Sequence, residues 1–171
     1  MTIVHEFNQS QEVEARHAPT LDAWLRESYQ IREATEAEQW DGIDRVVMAE
    51  SGLVTLDYKC DERAHATNRL FIETVSNSVT RRPGWIHTSR ADWLAYFVVP
   101  DHVWMFRFAR VRQRLPDWLS AYRERPARNV GYATLGVCVP MAVARQAVEY
   151  IASLVYRDGA VFEPSDRWEE R

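Results

Sequence analysis

Lysine is nearly missing from this chain of 171 residues: of its 21 basic side chains 20 are arginine, and the exception is Lys59. Cysteine is almost as scarce. Cys60 and Cys138 lie far apart with no second Cys or His at ligand spacing, which excludes a zinc knuckle and a disulfide framework. The five histidines are scattered, and no HxxxH, CxxC, GxSxG or glycine-rich phosphate loop occurs, so zincins, serine hydrolases and P-loop enzymes drop out. Long apolar runs are lacking too. The stretch from Trp93 to Phe106 is interrupted by Pro100, Asp101 and His102, well short of the ~20 residues that a membrane-spanning helix needs. His5 and Glu6 fall where a secretory leader would be apolar. These absences lead to the expectation of a cytoplasmic protein with no membrane role. With no repeat, no low-complexity tract and no Ser/Gly linker, residues 1–171 are expected to form a single domain.

What is present suits one sizeable core: 46% hydrophobic and 12% aromatic residues, with a formal charge of −4. That charge is unevenly spread, at −7 over residues 1–60, +5 over 61–128 and −2 over 129–171.

The pattern predicts a helix starting after Pro19, with Thr20 as its N-cap and Leu21, Trp24, Leu25 and Ile31 as its apolar stripe, running to about Glu38. Residues 1–18 are polar and weakly patterned. Trp40 to Met48 and Leu53 to Cys60 read as strands joined by the turn Ala49-Glu50-Ser51-Gly52, and Leu70 to Ser76 reads as a third. A helix over about Arg90 to Phe97, a strand from His102 to Phe108 and a helix from Ala109 to about Arg123 follow. A strand over Val130 to Val139 and a helix from Pro140 to Leu154 close the series. The fold class expected is α/β, as a mixed α+β sheet flanked by helices with the core order αβββαβ, to which a helix, a strand and a C-terminal helix are appended.

The chemistry centres on Asp57-Tyr58-Lys59. Alternate residues of a strand share a face, so Asp57 and Lys59 project together. If the turn pairs Met48 with Leu53, Asp44 stands across from Asp57, their Cβ atoms ~5 Å apart. A hairpin centred near His65 would place Glu73 opposite Asp57 as well. Asp44, Asp57 and Glu73 are therefore candidate oxygen ligands for Mg²⁺, with Mn²⁺ as a substitute. A buried lysine can have its pKa tuned where arginine cannot, which makes the lone lysine noteworthy as a catalytic group. The bland alternative is a surface ion pair of little consequence.

Gly42-Ile43-Asp44, Leu56-Asp57-Tyr58-Lys59, Phe71-Ile72-Glu73, Gly84-Trp85 and Thr88-Ser89-Arg90-Ala91-Asp92-Trp93 resemble the core of the PD-(D/E)XK nuclease superfamily, particularly small phage and bacterial members. The resemblance covers about residues 20–108 and leaves 109–171 as a C-terminal extension. It implies a restriction-endonuclease-like fold, Mg²⁺-dependent phosphodiester hydrolysis, Asp44 and Asp57 as metal ligands and Lys59 as the catalytic lysine. It also implies an acid from the first helix, for which Glu27, Glu33, Glu36 and Glu38 are candidates. Two features depart from the superfamily: Ile43 replaces the motif proline, and no extra strand is evident between Glu38 and Trp40.

Arg81, Arg82, Arg90 and Arg110 are candidate phosphate-gripping residues for DNA. Trp40, Trp85, Trp93 and Trp104 read mainly as core, and His87 as structural rather than catalytic. The functional expectation is a DNA nuclease, with a catalytically inactive binding or inhibitor protein and an RNA-processing nuclease as alternatives. A homodimer is left open.

Overall fold

The computed structural model describes residues 7–157 and 160–162. The elements in chain order are α1 (Phe7–Arg26), β1 (Gln30–Glu33), α2 (Glu36–Trp40), β2 (Arg45–Ala49), β3 (Gly52–Asp61), α3 (Ala64–Thr67), β4 (Arg69–Asn77), β5 (Arg82–Pro83) and α4 (Trp85–Thr88). They continue as β6 (Trp93–Val98), β7 (His102–Arg107), α5 (Phe108–Ala121), β8 (Glu124–Arg128), β9 (Ala133–Pro140), α6 (Met141–Ala144), β10 (Tyr150–Ser153), β11 (Val155–Arg157) and β12 (Ala160–Phe162).

A large sheet of order β1-β2-β3-β6-β7-β10 and a small sheet of order β5-β4-β9-β8 organise these elements, beside the β11-β12 hairpin. The large sheet is mixed: β3 and β6 run parallel, and every other neighbouring pair is antiparallel. One face packs Val47, Leu56, Tyr58, Phe97 and Met105 under Leu21, Trp24 and Leu25 of α1. The other packs Leu94, Tyr96, Trp104 and Phe106 against α5 and against Leu70, Ile72, Val137 and Val139 of the small sheet. The central strands are thus covered on both sides, as a parallel pair requires.

The β2–β3 hairpin has the expected register, with Met48 opposite Leu53 and Ala49 opposite Gly52. Several other expectations are corrected. The first helix begins at Phe7 rather than after Pro19, carries Pro19 in its interior and stops at Arg26, and Ile31 belongs to a strand beyond it. That strand, β1, pairs antiparallel with β2, while no strand lies between Glu38 and Trp40, as expected. Trp40 ends α2, whose start is fixed by a capping box between Thr35 and Glu38. The third strand of the antiparallel meander is therefore β1, while β4 lies in the small sheet.

Residues 93–98, expected as helix, form β6. All six are buried, and a short run that is apolar on both faces carries no period to separate strand from helix. The C-terminal helix expected from Pro140 to Leu154 is one short turn, α6, after which Tyr150–Ser153 extends the large sheet beside β7. Its Val143, Ala147, Ile151 spacing matched a helix, but pairing with the exposed edge of β7 supplies hydrogen bonds that an isolated amphipathic turn would lack. Among the described residues no helix is long and apolar enough to cross a membrane.

Candidate functional site

Asp44 sits just before β2, held there through its main chain and its carboxylate, with Arg45 Nη1 also donating to its carbonyl at 2.8 Å. Its N–H donates to the Leu56 carbonyl at 2.8 Å, its carbonyl accepts from Ala34 N–H at 3.0 Å, and its Oδ2 accepts the Tyr58 N–H at 2.7 Å. The preceding turn requires Gly42, whose φ is +72° and whose Cα faces Ser89 so closely that an added Cβ would lie 2.9 Å from the Ser89 Cα. Ser89 Oγ in turn donates to the Gly42 carbonyl at 3.1 Å. Asp44 and Asp57 accordingly lie side by side on neighbouring strands, as the hairpin register implied.

Asp57 is 2% exposed. Its Oδ1 accepts from Lys59 Nζ at 2.6 Å, and the same ammonium donates to the Tyr58 carbonyl at 2.7 Å and lies 3.4 Å from Glu14 Oε1. Glu14 comes from α1 and is the acid of that helix that reaches Lys59. Glu27, Glu33, Glu36 and Glu38, the acids expected there, lie elsewhere. Glu38 caps α2 and pairs with Arg32, Glu33 points toward Arg45, and Glu27 and Glu36 are exposed. Glu14 lies ahead of Pro19, in a stretch too polar to show a helical stripe.

Glu73 does not pair with Asp57. It lies opposite Gly136 in the small sheet, and its Oε1 accepts the Trp85 N–H at 3.1 Å. The packing of the two sheets nevertheless brings it within electrostatic reach of Lys59 and Glu14. Arg112 of α5 closes the rear. Its guanidinium donates to the carbonyls of Ile86 and Ser89, stacks 4.8 Å over the Phe108 ring and feels the charge of Asp57. Nothing in the sequence separated Arg112 from the other arginines of its helix.

The charge balance follows from this geometry. Burial pushes the Asp57 carboxyl up to about 7, and the neighbouring Asp44 and Glu14 add to the rise while Lys59 opposes it. Burial also raises Glu14 and Glu73, against the pull of Lys59 in each case. Lys59 goes the other way from a buried lysine on its own: the surrounding carboxylates outweigh its desolvation and hold it well above its ordinary value, so it stays an ammonium. Four acids therefore share one lysine.

The candidate DNA-gripping arginines are dispersed. Arg81 occupies a left-handed turn position at φ 58° between β4 and β5, and Arg82 on β5 is close enough for its charge to act on Glu73. Arg90 lies 3.4 Å from Asp41, and Arg110 pairs with Glu149 at 2.7 Å. Trp93 and Trp104 are core, Trp85 is partly buried, and Trp40 is exposed; His87 is exposed on α4.

Hard carboxylate oxygens in a pocket with surplus negative charge are the donor chemistry that suits Mg²⁺ or Mn²⁺. Asp44, Asp57 and Glu73 do not close into a ready cage, and among the described residues no three His, Cys, Asp or Glu side chains are near enough together to hold an ion. Comparison with models of known protein families, with curated protein sequences and with solved structures returns no match.

Proposed function

We propose that the chain is a metal-dependent nuclease that hydrolyses phosphodiester bonds in DNA, built on a restriction-endonuclease-like αβββαβ core. The observation that carries this reading is the meeting of Asp44, Asp57 and Lys59 on one hairpin with Glu14 from the first helix, four residues of the types the motif resemblance implies. The core order supports it as well, since α1, the β1-β2-β3 meander and the parallel β6 supply an acid helix and a mixed sheet in that sequence.

Asp44 and Asp57 would hold Mg²⁺, with Glu73 or Glu14 as the further oxygen donor. The ion would supply Lewis-acid activation of a water and charge neutralisation on the pentavalent phosphorus. Lys59, kept protonated by its acidic surroundings, acts as a donor and a fixed positive charge rather than as a base. Asp57 anchors that ammonium, and Asp44 is locked to the Tyr58 N–H so that both carboxylates are preset on rigid strands.

The assay is incubation with plasmid, linear duplex, single-stranded and branched DNA, and with RNA, in Mg²⁺ or Mn²⁺. Lys59→Ala and Asp57→Ala are expected to lose at least ~10²-fold in rate, the scale of a positioned catalytic group. Wild-type rates in both variants would refute the reading. Cation binding competes with protonation of Asp57, so the rate is expected to climb as pH rises through about 7.

The tight Asp57–Lys59 pair also fits a second reading, a noncatalytic binding scaffold in which the ammonium simply neutralises the buried acid. A thermal melt separates the two, because Mn²⁺ that binds the folded state must raise the midpoint of a nuclease and leaves that of the scaffold unchanged.

A further inference from the structure

The small sheet buries Leu70 and Ile72 of β4 and turns Arg69, Phe71 and Glu73 to its other face. Their partners on β9 are Pro140, Cys138 and Gly136, and Arg125 of β8 stands opposite Gly136. Glu73, Gly136 and Arg125 thus form one row across three strands. At ordinary strand spacings Arg125 lies roughly 10 Å from Glu73 across the sheet, and Arg69 roughly 13 Å from it along β4.

Arg69 and Arg125 are exposed. Arg69 donates to the Cys138 carbonyl at 3.3 Å, and Arg63, Arg69 and Arg125 all come near enough to the Cys138 sulfur for their charges to act on it. From the opposite end of the sheet Arg82 reaches Glu73. This face therefore carries Arg82 at the Glu73 end and Arg63, Arg69 and Arg125 around Cys138, in a chain whose formal charge is −4. Of the nearby acids, Asp61 also acts on the Cys138 sulfur but is held by Tyr96 Oη and by the Arg63 and Ala64 N–H groups, and Glu124 accepts from the Thr74 hydroxyl.

Between the cations lies Phe71, half-buried, with its ring laid across Gly136. A Cβ at Gly136 would sit 2.4 Å from the Phe71 ring, so the glycine is what lets the ring reach over β9. Guanidinium groups bind phosphates by charge-assisted hydrogen bonds, and an aromatic ring accepts any base by stacking. The two together favour an unpaired strand over a stacked duplex.

We infer that this face of the small sheet is the track for a single DNA strand, with Arg69, Arg82 and Arg125 gripping phosphates and Phe71 stacking on a base, so that the strand arrives at Glu73. The track rests on the nuclease reading only for what happens to the strand at the acid cluster; binding is measured apart from cleavage.

The test is fluorescence anisotropy with a labelled single-stranded oligonucleotide in EDTA over a range of salt, with circular dichroism confirming that each variant folds. Arg69→Gln/Arg125→Gln is expected to bind at least tenfold more weakly in 0.1 M salt. Its log K against log salt is expected to be shallower by about 1.4, at about 0.7 per lost phosphate contact on a single strand. Phe71→Ala is expected to lose about tenfold with no change in that slope. Arg114→Gln, on the outward side of α5 near Asp117, is expected to bind as wild type does. Wild-type affinity and slope in the double variant overturn the track, as does a wild-type protein that binds no single strand or that binds duplex more tightly. Loss of binding in the double variant, in a protein that cleaves nothing with Mn²⁺, upholds the track and removes the nuclease reading. Cleavage by wild type with unaltered binding by the double variant does the reverse.

Discussion

The two faces of β3 carry two buried carboxylates that are treated in opposite ways. On the α1 face Asp22 accepts from Arg45 Nε at 2.8 Å and Nη2 at 2.9 Å and from the Tyr58 hydroxyl at 3.0 Å. Asp22 thus meets one planar cation bidentately and one phenol, with the exposed Arg26 and Glu33 at 3.9 Å from Asp22 and Arg45 respectively, and the Arg45 guanidinium also stacks over the Tyr58 ring at 5.4 Å. On the opposite face Asp57 shares a single ammonium with Glu14 and two further acids. The first cluster is balanced and bidentate, the form in which a buried charge holds a structure together. The second is overloaded with negative charge, the form associated with a functional site. The use of arginine in one and of the only lysine in the other divides along the same line.

The largest effect that tests this contrast is on stability. Asp22→Ala strands the Arg45 guanidinium and is expected to cost about 3 kcal/mol, the low end for breaking a buried pair because Arg45 keeps some access to water. Chemical denaturation checks the figure, and a thermal midpoint should fall by roughly 8 °C. A loss under about 1 kcal/mol would place Asp22 with ordinary surface pairs and remove the contrast.

Asp57→Asn is expected to do the opposite as pH rises. A carboxyl whose pKa is about 7 in the folded chain and near 4 in the unfolded one binds more protons when folded between those values. Its contribution to stability therefore falls from about pH 4 to about pH 7 and stays at the lower level above. Asparagine does not titrate. The midpoint of the variant minus that of wild type is thus expected to increase from pH 5 to pH 8, even as cleavage is lost. A difference that is flat or decreasing would mean that Lys59 fully compensates Asp57, as in the balanced cluster.

How much of this contrast was legible in the sequence depends on which contacts are local. The Asp44, Asp57 and Lys59 grouping follows from strand alternation and a four-residue turn, and it holds in the structure. Glu14 and Glu73 arrive from elements whose placement is a tertiary matter. Pro19 looked like the start of a helix because proline fits the first turn so well, yet here it lies within a helix that begins at Phe7. Glu73 followed a long loop, and whether its strand joined β3 or a separate sheet is not written in its own alternation. The hydrophobic partners of β4 in the second sheet, Val137 and Val139, lie more than sixty residues away. Asp22 looks from the sequence like one more acid near a helix start. Its actual role appears only once α1 lies over β2 and β3.

The smallest effect offers the sharpest control. Tyr58→Phe removes only the hydroxyl that donates to Asp22, leaving the bidentate arginine in place, and is expected to cost about 1 kcal/mol. Burial and the adjacent Asp22 hold the phenol well above its ordinary value, so it is un-ionised in the folded and unfolded chain alike throughout pH 5–8. No proton uptake distinguishes the two states at this residue, and the cost is expected to be the same at pH 5 and pH 8. Denaturant melts at the two pH values measure it beside Asp57→Asn. A pH-independent loss for the phenol and a pH-dependent gain for the carboxyl, two residues of one strand whose side chains are adjacent in sequence, would locate the titrating charge on the Lys59 face alone. A pH-dependent loss in Tyr58→Phe would instead show that the two clusters titrate as one through the backbone that joins them.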